Sequence, residues 1–186
     1  VTLDAGTGTT SVGVIGTGTE IGALSIGSSD NGGITLNGAI TTDGIVDLDG
    51  PITLATGAIT ITTSDNAINL EGTVDGGQAL TLSSGTAKVT ANGAIGSGTA
   101  LTSLTVNSAG SGIIEITDIG TSSAAGVTGA TAIGNTSTTT LTLDGTVYTT
   151  TGQQTYTAKS GQNIDITNTA GTTFTTTNTA IAFNTS

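Results

Sequence analysis

The stretch that decides the fold runs from Ile34 to Leu54 and reads Ile-Thr-Leu-Asn-Gly-Ala-Ile-Thr-Thr-Asp-Gly-Ile-Val-Asp-Leu-Asp-Gly-Pro-Ile-Thr-Leu. Short apolar pairs, in which one residue separates two aliphatic ones, alternate here with Asn-Gly and Asp-Gly dipeptides. Residues i and i+2 of a strand share one face, so each pair predicts a short strand with one buried side. Asn-Gly and Asp-Gly are turn signals. The stretch therefore predicts a rapid succession of short strands and turns.

The same pattern continues along the whole chain. The apolar pairs are Ile34/Leu36, Val46/Leu48, Ile52/Leu54, Ile59/Ile61, Ile68/Leu70, Leu80/Leu82, Leu104/Val106, Ile114/Ile116, Leu141/Leu143, Ile164/Ile166 and Ile181/Phe183. Turn dipeptides stand between them at Asn31-Gly32, Asn37-Gly38, Asp43-Gly44, Asp49-Gly50, Asp75-Gly76, Asn92-Gly93 and Asp144-Gly145. No segment keeps a 3.6-residue apolar period for the length of a helix. The sequence therefore predicts an all-β fold.

Two all-β architectures fit this pattern. Asn-Gly and Asp-Gly between strands also mark hairpins, which would give antiparallel β-sandwich repeats. A sandwich needs longer strands and often buries a tryptophan, whereas this chain has no Trp, two Tyr and two Phe. In a parallel β-solenoid (β-helix), short strands stack about 4.8 Å apart, so that like residues lie over like. We predict the parallel β-solenoid, elongated as a rod because each repeat contacts only its neighbours, and keep the sandwich as the alternative.

One long internal repeat stands out when the chain is compared with itself. The segment from Ile15 to Leu36 matches the segment from Ile95 to Ile116 without a gap, and every Ile and Leu of the first lies over Ile, Leu or Val of the second. Internal repeats are the mark of solenoids and related arrays. We therefore predict a single elongated repeat region over 1–186, made of diverged units of about 80 residues, roughly 1–80 and 81–160 with a partial unit at 161–186.

The composition limits the function. Charged residues make up 8% of the chain, against about 25% in ordinary soluble domains. Disordered chains are rich in proline and charge, but Pro51 is the only proline here, so we predict a folded chain with a thin aliphatic core. Lys88 and Lys159 oppose 13 acidic residues, giving a net charge of −11. Phosphate binding needs basic residues and membrane insertion needs a long apolar run, so neither nucleic acid nor a membrane is an expected partner.

Catalytic chemistry has few candidate residues in this chain. There is no His and no Cys, so Ser and Thr have no imidazole to activate them. Many carboxylates directly precede Gly or Asn, as Asp65 and Asp75 do, at turn positions that water should reach. The runs Gly16-Thr-Gly18 and Gly96-Ser-Gly98 lack the lysine and the helix of a phosphate-binding loop. We expect no enzyme activity and no cofactor other than a metal.

Calcium is that metal, and its candidate ligands are Asp43, Asp47 and Asp49. They fall within eight residues of one another, and calcium prefers six to eight oxygen ligands from carboxylates and carbonyls. The spacing is not that of an EF-hand loop. Asp47 and Asp49 also share one strand face opposite Val46 and Leu48, so the solvated side of a strand explains them without a metal.

Thr-x-Thr motifs suggest a second kind of ligand. They occur at Thr60-Ile-Thr62, Thr140-Leu-Thr142, Thr155-Tyr-Thr157, Thr173-Phe-Thr175 and Thr177-Asn-Thr179. Rows of Thr-x-Thr on a flat solenoid face resemble the ice-binding surface of some antifreeze proteins. The high β-propensity of Thr, which hydrates the outer face of a strand, explains the motifs without a ligand.

Several phrases of the sequence resemble the filamentous-haemagglutinin-like and autotransporter-like large repetitive adhesins of bacterial surfaces. They are Gly33-Ile-Thr-Leu-Asn-Gly38, Ile68-Asn-Leu-Glu-Gly-Thr-Val74, Thr102-Ser-Leu-Thr-Val106 and Leu141-Thr-Leu-Asp-Gly-Thr-Val147. The resemblance implies a β-helical shaft, secretion across the outer membrane and a role in adhesion or biofilm. It carries over no functional residue, since the family has no catalytic motif.

These observations together predict an extracellular, cell-surface rod or fibre segment with a structural or adhesive role. Its expected partners are copies of itself or neighbouring repeats of a longer chain, together with host or matrix glycans or proteins. An open solenoid end is an unpaired strand edge, so end-to-end assembly into filaments is part of the expectation. The alternative is a ligand-binding solenoid that holds ice, glycan or calcium along one face.

Overall fold

The computed structural model describes residues 1–27, 32–107 and 112–185, and all of its regular secondary structure is β. Every pairing between the described strands is parallel. The chain winds into a solenoid of about eight turns with three sheets. The predicted all-β parallel β-solenoid is confirmed, and the antiparallel β-sandwich is excluded. Asp30 and Asn31, at the predicted turn Asn31-Gly32, lie outside the described residues.

The first sheet takes one strand from each coil. In spatial order it consists of β1 (Thr2–Leu3), β3 (Leu24–Gly27), β6 (Val46–Asp49), β9 (Ile68–Leu70), β12 (Val89–Ala91), β14 (Ile113–Ile116), β16 (Thr140–Leu143) and β19 (Ile164–Ile166). The i and i+2 residues of its central strands, such as Val46 and Leu48, are buried, while the residues between them are half-buried in each of these strands except β12, where Thr90 is also buried. Alternation with a period of two is therefore what puts the aliphatic pairs inside.

The second sheet is narrower and has two parts. The strands are β2 (Thr10–Val12), β4 (Ile34–Leu36), β7 (Ile52–Leu54) and β10 (Val74–Asp75), followed further along the axis by β17 (Val147–Thr149) and β20 (Thr173–Thr175). Single bridging residues join the two parts: Ile95 pairs with Val74 and with Ile119, and Ile119 pairs with Tyr148. The second side of the solenoid is thus continuous even where a coil gives it only one residue.

The third sheet runs from the second coil to the last. Its strands are β5 (Ile40–Thr42), β8 (Ile59–Thr63), β11 (Ala79–Ser83), β13 (Ser103–Asn107), β15 (Thr131–Ile133), β18 (Gln154–Ala158) and β21 (Ile181–Thr185). At the first coil, Ile15 continues this side by bridging to Ile40. The three sheets enclose one core of aliphatic columns, in which each inward side chain lies over its counterpart in the next coil.

Strand pairing repeats every 18 to 27 residues, from Ile34 beside Ile52 to Ile114 beside Leu141. Residues that are 80 positions apart lie instead on different sheets: Leu24 is in the first sheet and Leu104 in the third. The predicted repeat of about 80 residues is therefore not the unit of strand pairing. The division of one elongated repeat region into 1–80, 81–160 and 161–186 remains a prediction. With about 4.8 Å per coil, the described solenoid is roughly 40 Å long.

Candidate functional site

Acidic side chains gather on the outward side of the first sheet. Asp47 pairs with Asn69 on the neighbouring strand, and Asp49 and Glu71 each lie two residues further along. Burial is the main reason why the pKa of Asp47 lies above its ordinary value, and the negative charge of Glu71 is the second. A hydrogen bond with the Asn69 side chain opposes the shift, and Asp49 adds to it. Like charges therefore crowd together on this face.

The structure distributes the three predicted calcium ligands over two sides of a corner. Asp47 and Asp49 share the outward side of β6, whereas Asp43 directly follows β5 of the third sheet. Within residues 1–27, 32–107 and 112–185, no group of three or more acidic side chains is arranged to hold a metal ion. The geometry adds no support to a calcium site at Asp43, Asp47 and Asp49, which stays a prediction.

One ion pair lies among the acidic residues on the outward side of the first sheet. The Nζ of Lys88 lies 2.7 Å from Oε2 of Glu115 on the next coil, and both side chains are more than a third exposed. Exposed pairs of this kind contribute about 1 kcal/mol at most. Lys88 is thus a surface partner of an acidic column and not an isolated amine.

Carboxylates at the corners bind the main chain of the following coil. Oδ1 of Asp118 accepts hydrogen bonds from the N–H groups of Thr146 at 2.7 Å and Val147 at 2.8 Å. Oδ1 of Asp65 accepts one from the N–H of Thr86 at 2.8 Å, 21 residues further on. Asp65, predicted to lie at a turn that water reaches, thus also connects one coil to the next, and so does Asp118.

The glycine-rich turn at Gly96-Ser-Gly98 is occupied by such a carboxylate. Oδ1 of Asp75 accepts hydrogen bonds from the N–H groups of Gly98 at 2.7 Å and Thr99 at 2.9 Å. Backbone N–H groups converging on one point form an anion-binding turn, and here the chain supplies its own anion. A phosphate-binding role for this turn therefore finds no support.

The third sheet differs from the first because its strands contain no charged residue. All seven described strands consist of uncharged residues. On its outward side Thr60, Thr81 and Thr105 lie in register on three successive coils, and Thr41 pairs with Thr62 beside them. The column is broken at Ala132, which pairs with Thr105. This side is therefore a neutral surface of hydroxyl and methyl groups.

The predicted Thr-x-Thr motifs do not share one surface. Thr60-Ile-Thr62 and Thr155-Tyr-Thr157 lie in the third sheet, Thr140-Leu-Thr142 in the first and Thr173-Phe-Thr175 in the second. Thr177-Asn-Thr179 lies in the turn before β21. Among the strands that the structure describes, only those of the third sheet stack Thr over Thr on three successive coils.

All four aromatic residues of the chain pack together in the last two coils. Tyr148 stacks on Phe174 with ring centroids 4.8 Å apart, and Tyr156 stacks on Phe183 at 5.0 Å. The two stacks meet edge to face, for example Tyr156 with Phe174 at 5.6 Å. Such pairs add about 0.5–1.5 kcal/mol beyond area burial. Sequence reasoning noted the scarcity of aromatic residues but missed that all four fall between positions 148 and 183.

A buried glutamine organises the polar atoms within this cluster. Nε2 of Gln154 donates hydrogen bonds to the carbonyl oxygens of Tyr148 and Thr175, both at 2.8 Å. Its Oε1 accepts one from the hydroxyl of Tyr156 at 2.9 Å. The hydroxyl of Tyr148 donates to the carbonyl of Ile116 at 2.8 Å. The side-chain amide of Gln154 and the hydroxyls of both tyrosines are therefore all hydrogen-bonded inside the solenoid, where earlier coils have aliphatic columns.

The last coil leaves part of the core uncovered. Ile166, Ile181 and Phe183 are 49%, 37% and 45% exposed, although the equivalent positions in earlier coils are buried. An open depression of about 490 Å³ lies between β19 and β21, lined by Ile164, Ile166, Phe183 and Thr185 among others. This end is the largest concentration of exposed apolar side chains in a β-strand setting among the described residues.

In comparisons with models of protein families, with curated proteins and with solved structures, none matches this chain. The resemblance to large bacterial adhesins therefore stays an expectation from sequence. None of the described residues belongs to a helix that is long and apolar enough to cross a membrane.

Proposed function

We propose that this chain is a structural and adhesive rod segment of an extracellular, bacterial cell-surface or fibre protein. The observation that carries the proposal is the uninterrupted stacking of coils. The first sheet alone passes through eight strands in one parallel series, with two inward columns that are buried from Leu24 to Leu143. In such a structure each coil contacts mainly its neighbours, so length can grow by repetition without a new core.

Rigidity in this rod comes from contacts between coils. Aliphatic columns bury each side chain against the next, at about 1.5–3 kcal/mol for a fully buried side chain. Corner carboxylates such as Asp118 and Asp75 add hydrogen bonds across the same junctions. A net charge of −11 keeps separate rods apart in solution. A stiff, soluble shaft with only two residues after which trypsin could cleave, Lys88 and Lys159, suits a spacer that holds an adhesive site away from a cell. The proposal includes no catalytic step.

Small-angle scattering combined with far-UV circular dichroism tests the rod. We expect a β-sheet spectrum and an elongated particle whose shape is the same with calcium and with a chelator. A compact sphere or a helical spectrum would remove the basis of the proposal. A calcium-dependent rise of the melting temperature would instead favour the ligand-binding alternative.

The neutral third sheet is the observation that favours a second candidate, a solenoid that binds ice along one face. The threonine column of Thr60, Thr81 and Thr105 offers hydroxyl and methyl groups at the spacing of successive strands, about 4.8 Å. Thermal hysteresis of the native chain would support this function. Thr81→Lys should abolish it, while Thr142→Lys on the first sheet should not. Absence of hysteresis in the native chain would reject ice, leaving glycan or calcium as the remaining ligands of this alternative.

A further inference from the structure

We propose that Asn92 is a site of spontaneous deamidation, at which the chain converts its own side-chain amide into a carboxylate beside Glu71. The amide of Asn92 donates a hydrogen bond from Nδ2 to Oε2 of Glu71 at 2.6 Å, and Gly93 follows Asn92 directly. Deamidation turns this attractive contact between neighbouring coils into a repulsive one. The proposal concerns covalent chemistry at one corner of the solenoid and goes beyond the proposed rod function.

The reaction needs only two adjacent residues and water. The main-chain nitrogen of Gly93, after losing its proton to hydroxide, attacks Cγ of Asn92. A C–N bond forms, the Cγ–Nδ2 bond breaks, and the side-chain nitrogen takes up a proton and leaves as ammonia. The product is a five-membered succinimide ring. Water then opens the ring at either of its two carbonyl groups, which gives aspartate or isoaspartate at position 92, and no atom is oxidised or reduced.

Packing between coils dictates the glycine at position 93. A Cβ built on Gly93 would overlap the main-chain carbonyl group of Gly72 in the preceding coil, and one built on Gly72 would overlap that of Gly50. These three corners therefore stack too closely for any side chain. Glycine is also the residue whose main-chain nitrogen is least shielded, because it has no Cβ. The fold thus requires the neighbour that makes Asn92 most reactive.

Asn92 lies where a succinimide ring has room to form. It is exposed and directly follows β12, at the start of a bend. The other Asn-Gly dipeptide within the described residues is Asn37-Gly38, in which Asn37 is half-buried and Gly38 is buried. Asn69, by contrast, lies inside β9 and precedes Leu70, whose side chain shields the attacking nitrogen. Asn92 is therefore the most accessible of these three positions.

A carboxylate at position 92 would extend a row of acidic residues. Asp49, Glu71 and Asn92 each directly precede one of the stacked corner glycines, on three successive coils. Like charges opposite each other on neighbouring strands are destabilising. Burial and the negative charges of Glu71 and Asp49 already raise the pKa of Asp47 beside this row. Deamidation adds a third carboxylate to the row and removes the donor that Glu71 now has.

The isoaspartate product disturbs the main chain as well. It routes the chain through the side-chain carbon, so the backbone between β12 and Ile95 becomes longer by one methylene group. The N–H of Asn92 donates to the carbonyl of Leu70 at 2.9 Å, and the N–H of Gly96 donates to the carbonyl of Val74 at 2.7 Å. These two bonds join neighbouring coils on either side of the modified bond. An added backbone atom between them shifts one bond out of register and weakens the junction.

Mass spectrometry of the folded chain tests the site. The chain is incubated at neutral and at mildly alkaline pH, then unfolded and digested with pepsin in acid, where attack by the main-chain nitrogen is slow. We expect the peptide with Asn92 to gain the mass difference between an amide and an acid. The gain should be faster at the higher pH, and faster than in the peptides with Asn37 or Asn69. Asn92→Gln keeps an amide but requires a six-membered ring, so it should abolish the gain at this position.

Variants at position 92 separate the added charge from the lost hydrogen bond. Asn92→Asp has the aspartate product, Asn92→Ala removes the hydrogen bond without adding charge, and Asn92→Gln is the matched control with a near-native melting temperature. Losing one hydrogen bond lowers the melting temperature of a chain of this length by at most about 2–4 °C. We expect this decrease for Asn92→Ala and a larger one for Asn92→Asp at low ionic strength. High salt should narrow the difference between the two variants, because it screens exposed charges.

Three results would overturn the proposal. The first is an Asn92 that stays unmodified during prolonged incubation of the folded chain. The second is an equal rate at Asn37 and Asn92, which would mean that the reaction takes place in the unfolded chain and not at an exposed corner. The third is an Asn92→Asp variant that melts together with Asn92→Ala at low ionic strength, which would contradict the repulsion from Glu71.

Discussion

The carboxylate of Asp118 lies at the corner of the coil that follows its own, where its Oδ1 accepts a hydrogen bond from the N–H of Val147 at 2.8 Å. The two residues are 29 positions apart, and Thr146 donates to the same oxygen through its N–H. Main-chain N–H groups at a corner have no strand partner, so an anion from the preceding coil satisfies them. Acidic residues therefore hold coils together in a protein whose net charge is strongly negative.

Removing this contact should destabilise the fold. Asp118→Ala leaves two N–H groups without their acceptor, and we expect a loss of about 1–3 kcal/mol in the free energy of unfolding. Asp118→Asn keeps one acceptor oxygen and should lose less. Urea unfolding measures both. Asp165→Ala, which removes a carboxylate from the outward side of the first sheet, is the control and should change stability by less than about 0.5 kcal/mol. Equal losses for the alanine variants at 118 and 165 would contradict the role of Asp118.

A buried hydroxyl without a partner predicts a stabilising substitution. Oγ1 of Thr131 is buried and has no hydrogen bond to any described residue. Thr131→Val replaces this hydroxyl with a methyl group of similar size, so we expect stability to rise by about 1 kcal/mol. In Thr42, by contrast, Oγ1 donates to the carbonyl of Gly44 at 2.6 Å. Thr42→Val should therefore lower the melting temperature while Thr131→Val raises it. The opposite order would mean that the inward polar positions are wrongly assigned.

Close contact between coils predicts which glycines are required. Gly96 has a φ of +71°, and a Cβ built there would lie 2.0 Å from the carbonyl oxygen of Gly126 in the next coil. Gly96→Ala should cost more than about 2 kcal/mol, because left-handed backbone strain adds to the overlap. Gly77→Ala is the matched control, since nothing lies within 4 Å of its Cβ position. Thermal melts of both variants check the difference, and similar melting temperatures would contradict the coil spacing.

The two tyrosines predict instability at high pH. Burial raises the pKa of Tyr148 and of Tyr156 well above the ordinary value of 10.0, and the hydrogen bond from Gly145 only partly offsets the shift of Tyr148. Above pH 10 the unfolded chain releases these protons while the folded chain keeps them, so the unfolded state becomes more stable relative to the folded state. Stability should fall by about 1.4 kcal/mol per pH unit for each tyrosine.

Phenolate absorbance should then appear together with the loss of β-structure and not before it. The double variant Tyr148→Phe/Tyr156→Phe should flatten the dependence of stability on pH above 10. Phenolate absorbance that appears while the circular dichroism spectrum is still native would show that the tyrosines are open to solvent, contrary to the structure.

The short strands could be predicted from sequence because their signal is local. Each of the eleven apolar pairs lies in a strand, from Ile34/Leu36 in β4 to Ile181/Phe183 in β21. The eleven pairs do not include the strands with a polar inward residue, such as β15 and β18, nor β3 with its inward Leu24 and Ile26. Gln154 and Thr131 are inward residues of β18 and β15. The side chain of Gln154 is accommodated because it donates hydrogen bonds to the carbonyl oxygens of Tyr148 and Thr175, whereas Oγ1 of Thr131 has no partner. Spacing in the sequence contains no information about those partners.

The register could not be predicted, for a related reason. All three sheets use the same pattern of Ile, Leu and Val at i and i+2. When the chain is aligned with itself, a match between equivalent strands of two coils therefore looks the same as a match between strands of two different sheets. Leu24 matched Leu104 for this reason, although they lie in different sheets. Corner loops of unequal length then hide the true spacing, which is 21 residues from Ile68 to Val89 and 27 from Ile114 to Leu141. The cluster of four aromatic residues in the last two coils was missed because these residues come together only when successive coils stack.

The most direct test of the parallel solenoid is cross-linking by pairs of engineered cysteines, because the chain has no cysteine of its own. Thr81 and Thr105 pair on neighbouring coils of the third sheet, whereas Thr60 and Thr105 are separated by one coil. Neighbouring positions lie within disulfide reach and positions about 9.6 Å apart do not. Under mild oxidation, T81C/T105C should lose both free thiols as a monomer, and T60C/T105C should keep them. Free thiols in T81C/T105C, or an equally fast cross-link in T60C/T105C, would contradict the coil-by-coil register on which the whole account depends.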